Sequence, residues 1–210
     1  WALATAGPDA FLAGAPALGR VTAEMHVAMA RAFGAQAGDA AAWADAMATQ
    51  LGRTPGLEHA DEAARRYRAL AASPAAGVAV RTHGDYHLGQ VLRRDDAWYL
   101  LDFEGEPARP VAERVAPTSP LKDVAGMLRS FGYAAAVARA DAGWEGRARQ
   151  AFLDAYHATE GISGLLPGDV DLVLGCFELD KAVYEVAYER SHRPSWAQIP
   201  LGAVERLLGS

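Results

Sequence analysis

Cysteine and lysine are almost missing from this 210-residue chain. Cys176 stands alone, so no internal disulfide can form, which fits a reducing cytoplasm. Lys122 and Lys181 are the only lysines, and the net charge is −6. That balance argues against nucleic acid as the main partner, because neutralising phosphates requires a basic face. No apolar run approaches the roughly 18 to 20 residues of a membrane span, so no membrane partner is expected. A Gly-rich phosphate loop is also missing: Gly7, Gly14 and Gly19 lie far apart among Ala and Pro. The chain opens at Trp1 without Met or a basic n-region, which reads as no signal peptide and a start inside a longer protein. With 51% hydrophobic residues it can bury a proper core, and it reads as one domain.

What is present is mostly helical periodicity. Residues 1–16 are rich in Ala, Gly and Pro without a clear period and read as a linker or irregular lead-in. Residues 17–33 place Val21, Met25, Ala28, Met29 and Ala32 on one helical stripe, with Gly34 as a stop. Asp39 can cap a helix reaching Leu51, with Trp43, Met47 and Leu51 on one face. Residues 57–73 form another, acidic at its start and basic later, which suits the helix dipole. Beyond a proline-punctuated loop at 107–120, helices are expected over 122–139, with Val124, Leu128 and Phe131 on a core face, and over 145–160. Two more are expected over 169–190, capped by Asp169, and over 197–208. About seven helices around one small hairpin make a mainly α (α+β) domain.

That hairpin carries the most informative stretch, Arg81-Thr-His-Gly-Asp-Tyr-His-Leu-Gly-Gln-Val-Leu92, followed by Tyr99-Leu-Leu-Asp-Phe-Glu104. Residues 78–82 read as a strand running into a loop with His83, Gly84 and Asp85. Residues 90–92 and 98–101 are β-prone and separated by the turn-like run Arg93-Arg94-Asp95-Asp96. Folding the hairpin gathers Asp85, Gln90 and Asp102. An acid that orients a hydroxyl, beside side chains able to hold Mg²⁺, is what phosphoryl transfer from ATP requires. Asp102 and Glu104, one residue apart on an extended segment, would face one Mg²⁺ site, while Phe103 would pack into the core.

These motifs resemble the catalytic and metal-binding loops of the aminoglycoside-phosphotransferase-like kinases, which share the protein-kinase fold. Within that group the chain resembles actinobacterial maltokinases, which carry Gln at the position of Gln90 where relatives carry Asn. Asp180-Lys-Ala-Val-Tyr-Glu-Val-Ala-Tyr-Glu-Arg190, Arg193-Pro-Ser-Trp196 and Ile199-Pro-Leu201 extend that resemblance. It covers residues 17–210 and implies the C-terminal lobe of such a kinase. The nucleotide-binding N-terminal lobe, with its Gly-rich loop and lysine, would be missing from this chain.

The resemblance implies roles residue by residue. Asp85 is the catalytic carboxylate, and Gln90, Asp102 and Glu104 are metal ligands. His83 and Asp123 brace the catalytic loop, and His87 touches substrate. Asp180, Lys181, Tyr184, Glu185, Tyr188, Arg193 and Trp196 bind the sugar, aromatic rings covering C–H faces while ions take hydroxyls. The plainer readings stay open beside these: a turn Asp at 85, a strand-edge Gln at 90, and a first-turn acid at 123. The segment 180–190 also reads as an ordinary amphipathic helix with half-buried tyrosines. His26, His59, His157 and His192 show no metal-ligand spacing and read as surface or satisfied core residues.

The implied activity is transfer of phosphate from ATP, with Mg²⁺, to an alcohol group: maltose to maltose 1-phosphate, in cytoplasmic α-glucan synthesis. The fragment alone would be inactive, and fusion or complex with a trehalose- or maltose-metabolising enzyme is a further implied partnership. The alternative acceptor is glucosamine or another amino sugar or aminoglycoside, whose ammonium Asp180, Glu185 and Glu189 could serve. The rival of a different class is a non-catalytic sugar-binding or regulatory lobe, which the intact Asp85, Gln90 and Asp102 argue against.

Overall fold

Residues 8–16, expected as an irregular lead-in, instead form the first turns of α1 (Pro8–Phe33) in the computed structural model. The structure describes residues 7–95, 97–105 and 110–209, so residues 1–6 of the expected linker lie outside the described residues. Alanine explains the correction, because it has the highest helix propensity, and Pro8 suits a first helical position. Pro16 is carried inside the helix. Phe11 anchors these turns, its ring 5.2 Å from Phe131, 5.5 Å from Trp144 and 6.2 Å from Trp98. Both indoles are satisfied on the same turns, Trp98 donating to the Gly14 carbonyl and Trp144 to that of Pro8, each at 3.0 Å.

The buried face of α1 also differs from the expected stripe. It runs through Leu18, Thr22, Met25 and His26, while Ala28 and Ala32 are exposed. Two polar residues on the inward face hid it from a reading based on apolar spacing alone.

The chain divides into two compact units, each built from two stretches of sequence, where the sequence reads as one domain. Unit 1 takes the chain up to Gln36 and Val78–Leu166. It holds α1, β2 (Val78–Val80), the hairpin β3 (Val91–Arg94) and β4 (Ala97–Leu100), α4 (Val111–Arg114), α5 (Leu121–Ala138) and α6 (Trp144–His157). The three-residue strand β1 (Ala35–Ala37) pairs with β2. Val80 also exchanges both backbone hydrogen bonds with Thr118, each 2.9 Å, so the loop expected at 107–120 carries a bridge and the one-turn α4. Residues 106–109 of that loop lie outside the described residues. Leu18, Val80, Leu128, Phe131, Trp144, Phe152 and Tyr156 are fully buried in this unit. Each such large apolar side chain contributes about 1.5–3 kcal/mol of burial.

The hairpin pairs Val91 with Leu100, Leu92 with Tyr99, Arg93 with Trp98 and Arg94 with Ala97. Arg93 and Arg94 therefore belong to β3, not to the turn expected there. Asp95, at φ 55°, enters the turn, and Asp96 lies outside the described residues. Arg93 is drawn into the ladder by a hydrogen bond to the Ala10 carbonyl at 2.7 Å and by the Trp98 ring beneath its guanidinium.

Unit 2 takes Ala37–Gly77 and the chain from Pro167. It packs α2 (Ala40–Gly52), α3 (Ala60–Ala71), α7 (Val170–His192) and α8 (Gln198–Leu208). Asp39 and Asp169 cap α2 and α7 through carboxylates that accept the Ala42 and Leu172 amides, each at 2.9 Å. Such caps contribute about 1 kcal/mol each. Met47, Tyr67, Leu70, Val173, Leu179, Val183 and Val186 form its core. Cys176 is buried there, and burial pushes its thiol up to about 11.

Candidate active site

In unit 1, the chain leaves β2 and enters a loop whose backbone is gripped by one carboxylate. Asp123, in the first turn of α5, accepts the His83 amide through Oδ2 at 2.7 Å and the Gly84 amide through Oδ1 at 2.9 Å. Gly84 sits at φ 88°, where a larger residue would be strained. The same Oδ2 lies 3.1 Å from His26 Nε2, and His26 Nδ1 lies 2.9 Å from the Tyr156 hydroxyl. Burial alone would raise the Asp123 carboxyl, but the hydrogen bond and charge of His26 and the Gly84 amide outweigh it and hold it below the usual range. Burial, reinforced by the Asp123 charge, pushes the Tyr156 hydroxyl well above its ordinary value. His26, read from sequence as a surface or satisfied core residue, is fully buried and part of this network. Its position four residues after Thr22 on the inward face was the available signal.

Successive side chains of the loop then alternate in direction. Tyr86 is buried, with its hydroxyl 2.8 Å from that of Thr22, while Asp85 and His87 are only partly covered. The Leu88 amide donates to Ser130 Oγ at 3.1 Å, tying the short 3₁₀ turn Leu88–Gln90 to α5. Asp85 Oδ2 and His87 Nε2 are 3.9 Å apart, and His87 Nδ1 accepts the Gly89 amide at 2.9 Å.

Gln90 closes the loop and meets the next one. Its carbonyl accepts the Leu101 amide at 2.9 Å, and its side-chain amide lies 3.4 Å from Asp102 Oδ2. His83 joins the same two loops by donating from Nε2 to the Leu101 carbonyl at 2.7 Å, with Nδ1 buried and without a hydrogen-bond partner among the described residues. Two expectations fail here. Asp102 sits at φ 59°, so the segment is not extended and the alternation that would aim Asp102 and Glu104 together does not apply. Phe103 is 38% exposed instead of packed in the core, its ring 4.9 Å from that of His83.

Among the described residues, no three His, Cys, Asp or Glu side chains gather as a metal site. Mg²⁺ does not demand one, since it is commonly held by one or two carboxylates together with substrate phosphates. The Asp102 carboxylate, exposed and beside the Gln90 amide, suits that mode.

Apart from His87, the residues read as sugar-binding lie in unit 2, on and just after α7. Tyr184 and Tyr188 stack at 6.3 Å, and His192, read from sequence as a surface or satisfied core residue, extends the stack at 4.3 Å from Tyr188. Lys181 Nζ stands 5.3 Å from the Tyr184 ring. Arg193 makes a two-point contact with the buried Glu189 at 2.9 and 2.7 Å, and its guanidinium covers the Tyr188 and Trp196 rings. Glu185 is buried. Burial, reinforced by the charge of Asp180, raises the Tyr67 hydroxyl, and one carboxylate oxygen of Asp180 is buried.

Comparison with known proteins assigns the family. The sequence profile of the phosphotransferase enzyme family matches residues 5–163. The chain belongs to that family. Among its relatives, the glucosamine kinase of Streptacidiphilus jiangxiensis is 34% identical over 222 residues, covering 91% of this chain and 48% of that protein. The glucosamine kinase of Mycolicibacterium smegmatis is 33% identical over 212 residues, covering 91% and 53%. Glucosamine kinase in crystal form B has a TM-score of 0.84 at 30% identity, covering 100% of this chain and 56% of the other. Glucosamine kinase in complex with glucosamine, ADP and inorganic phosphate has the same TM-score, 0.84, at 31% identity, covering 99% and 55%.

The chain spans about half the length of the curated relatives it matches. The chain has the mainly helical fold around one small β-hairpin read from its sequence, with the short pair β1–β2 in addition. The narrower resemblance to maltokinases is not supported, since the relatives named above are glucosamine kinases. No described helix is long and apolar enough to cross a membrane.

Proposed function

We propose that this chain is the phosphoryl-transfer lobe of a two-lobed kinase that uses ATP and accepts glucosamine or a closely related amino sugar. One observation carries the reading: the Asp123 clamp on the His83 and Gly84 amides, which fixes the loop bearing both Asp85 and Gln90. Asp85 accepts a hydrogen bond from the acceptor hydroxyl and aims its lone pair at the γ-phosphorus for in-line attack. The hydroxyl proton passes to Asp85 as the new O–P bond forms and the bond from the γ-phosphorus to the β–γ bridging oxygen breaks, releasing ADP. Asp102 and Gln90 would hold Mg²⁺, which when bound neutralises charge on the phosphate oxygens. Glu104, exposed beyond Asp102, is proposed as a further carboxylate toward that ion. The remaining nucleotide contacts are assigned to sequence outside this chain.

The acceptor is taken from the named relatives, all glucosamine kinases. Asp180 and Glu185 are the acids proposed to suit an ammonium group, with Lys181, Tyr184, Tyr188, Arg193 and Trp196 as the sugar-facing surface. One observation favours maltose as a second reading. The stack of Tyr184, Tyr188 and His192 is longer than a single pyranose ring needs. The test is Asp85→Asn in the two-lobed enzyme, which should lower kcat by about 10²-fold or more while nucleotide still binds. An unchanged kcat overturns the assignment.

A further inference from the structure

His87 folds back over the loop that carries it. Its Nδ1 accepts the Gly89 amide at 2.9 Å, so in the uncharged ring the proton sits on Nε2. Nε2 faces the Asp85 carboxylate, 3.9 Å from Oδ2. That distance exceeds a hydrogen bond, so the N–H edge attracts the carboxylate without occupying the lone pairs an acceptor hydroxyl needs.

Gly89 is what allows this fold. It is not among the residues held at positive φ, so its backbone would accept a side chain. Space is the obstacle. A Cβ at Gly89 would stand 2.7 Å from Cε1 and 2.8 Å from Nδ1 of His87, and its three nearest atoms all belong to that ring. The glycine thus supplies both the amide that fixes Nδ1 and the gap the imidazole fills.

We infer that His87 and Gly89 act together as a positioning pair for Asp85, in place of the sugar contact expected for His87. The inference rests on the reading of Asp85 as the catalytic carboxylate. His87 steers one carboxylate oxygen, and the other stays available to the acceptor hydroxyl.

The test is a variant set in the two-lobed kinase, with each variant's thermal unfolding recorded. Misplacing a reacting group by about 1 Å can cost on the order of 10²-fold. His87→Ala should therefore lower kcat by about tenfold or more while KM for the sugar moves less than about twofold. His87→Gln, whose amide nitrogen reaches near the Nε2 position, should recover most of that loss. Gly89→Ala should match His87→Ala, and adding it to His87→Ala should cost nothing further, because no ring remains to displace. Side-chain ¹⁵N NMR of the wild type should find the proton on Nε2 of His87.

Several results would overturn the inference. They are a rise in KM with kcat intact, a Gly89→Ala loss that adds fully to His87→Ala, or a proton on Nδ1. If His87→Ala leaves kcat untouched while Asp85→Asn abolishes it, the positioning pair fails and the role of Asp85 stands. If Asp85→Asn is itself active, both fail.

Discussion

His26 Nε2 lies 3.1 Å from Asp123 Oδ2, and both side chains are buried. This pair ties α1 to the backbone of the loop that carries Asp85, because Asp123 also accepts the His83 and Gly84 amides. Removing the carboxylate would leave two amides and an imidazole N–H unsatisfied in the core. Asp123→Ala should therefore cost about 3–5 kcal/mol in denaturant unfolding, the range for breaking one side of a buried pair. A loss below about 1 kcal/mol would mean the network contributes little beyond an ordinary hydrogen bond.

The same carboxylate predicts a pH dependence. Its folded-state pKa is lowered: burial raises it, and the His26 hydrogen bond and charge and the Gly84 amide outweigh burial. A lowered pKa means the unfolded chain binds the proton first as pH falls. The stabilisation is then complete above the unfolded carboxylate value of about 3.9 and is lost as pH drops from there toward the folded value. Unfolding curves across that acid range should show wild-type stability falling more steeply than that of Asp123→Asn. Parallel curves would contradict the assignment.

Much of this was legible in the sequence, for identifiable reasons. The Asp39 and Asp169 caps could be read because a capping carboxylate acts on an amide three residues away. The hairpin could be read because its segments are β-prone and a charged run separates them, although Arg93 and Arg94 of that run belong to β3. The start of α1 was missed because Pro16 and the nearby glycines look like a linker, whereas Ala propensity and the burial of Phe11 carry the helix through them. His26 was read as a surface or satisfied core residue and is the latter, but its place in the network could not be read because Asp123 and Tyr156 lie 97 and 130 positions away. Phe103 was misplaced because the positive φ of Asp102 breaks the alternation on which its direction was read.

Metal binding separates the two acidic residues of the second loop. Asp102 is linked to Gln90 at 3.4 Å, whereas Glu104 follows beyond a left-handed residue. In the proposed two-lobed kinase, Asp102→Ala should raise the Mg²⁺ concentration needed for half-maximal activity by about tenfold or more, equivalent to about 1.4 kcal/mol. Glu104→Ala should shift it less. The reverse order would move the metal reading to Glu104, and no shift in either variant would make the loop structural.

The most direct measurement is kcat/KM of the proposed two-lobed kinase for glucosamine and for maltose, side by side with Mg-ATP. An amino-sugar kinase should favour glucosamine by at least about tenfold, roughly 1.4 kcal/mol in transition-state binding. A preference for maltose of the same size, or transfer to neither sugar, would contradict the account.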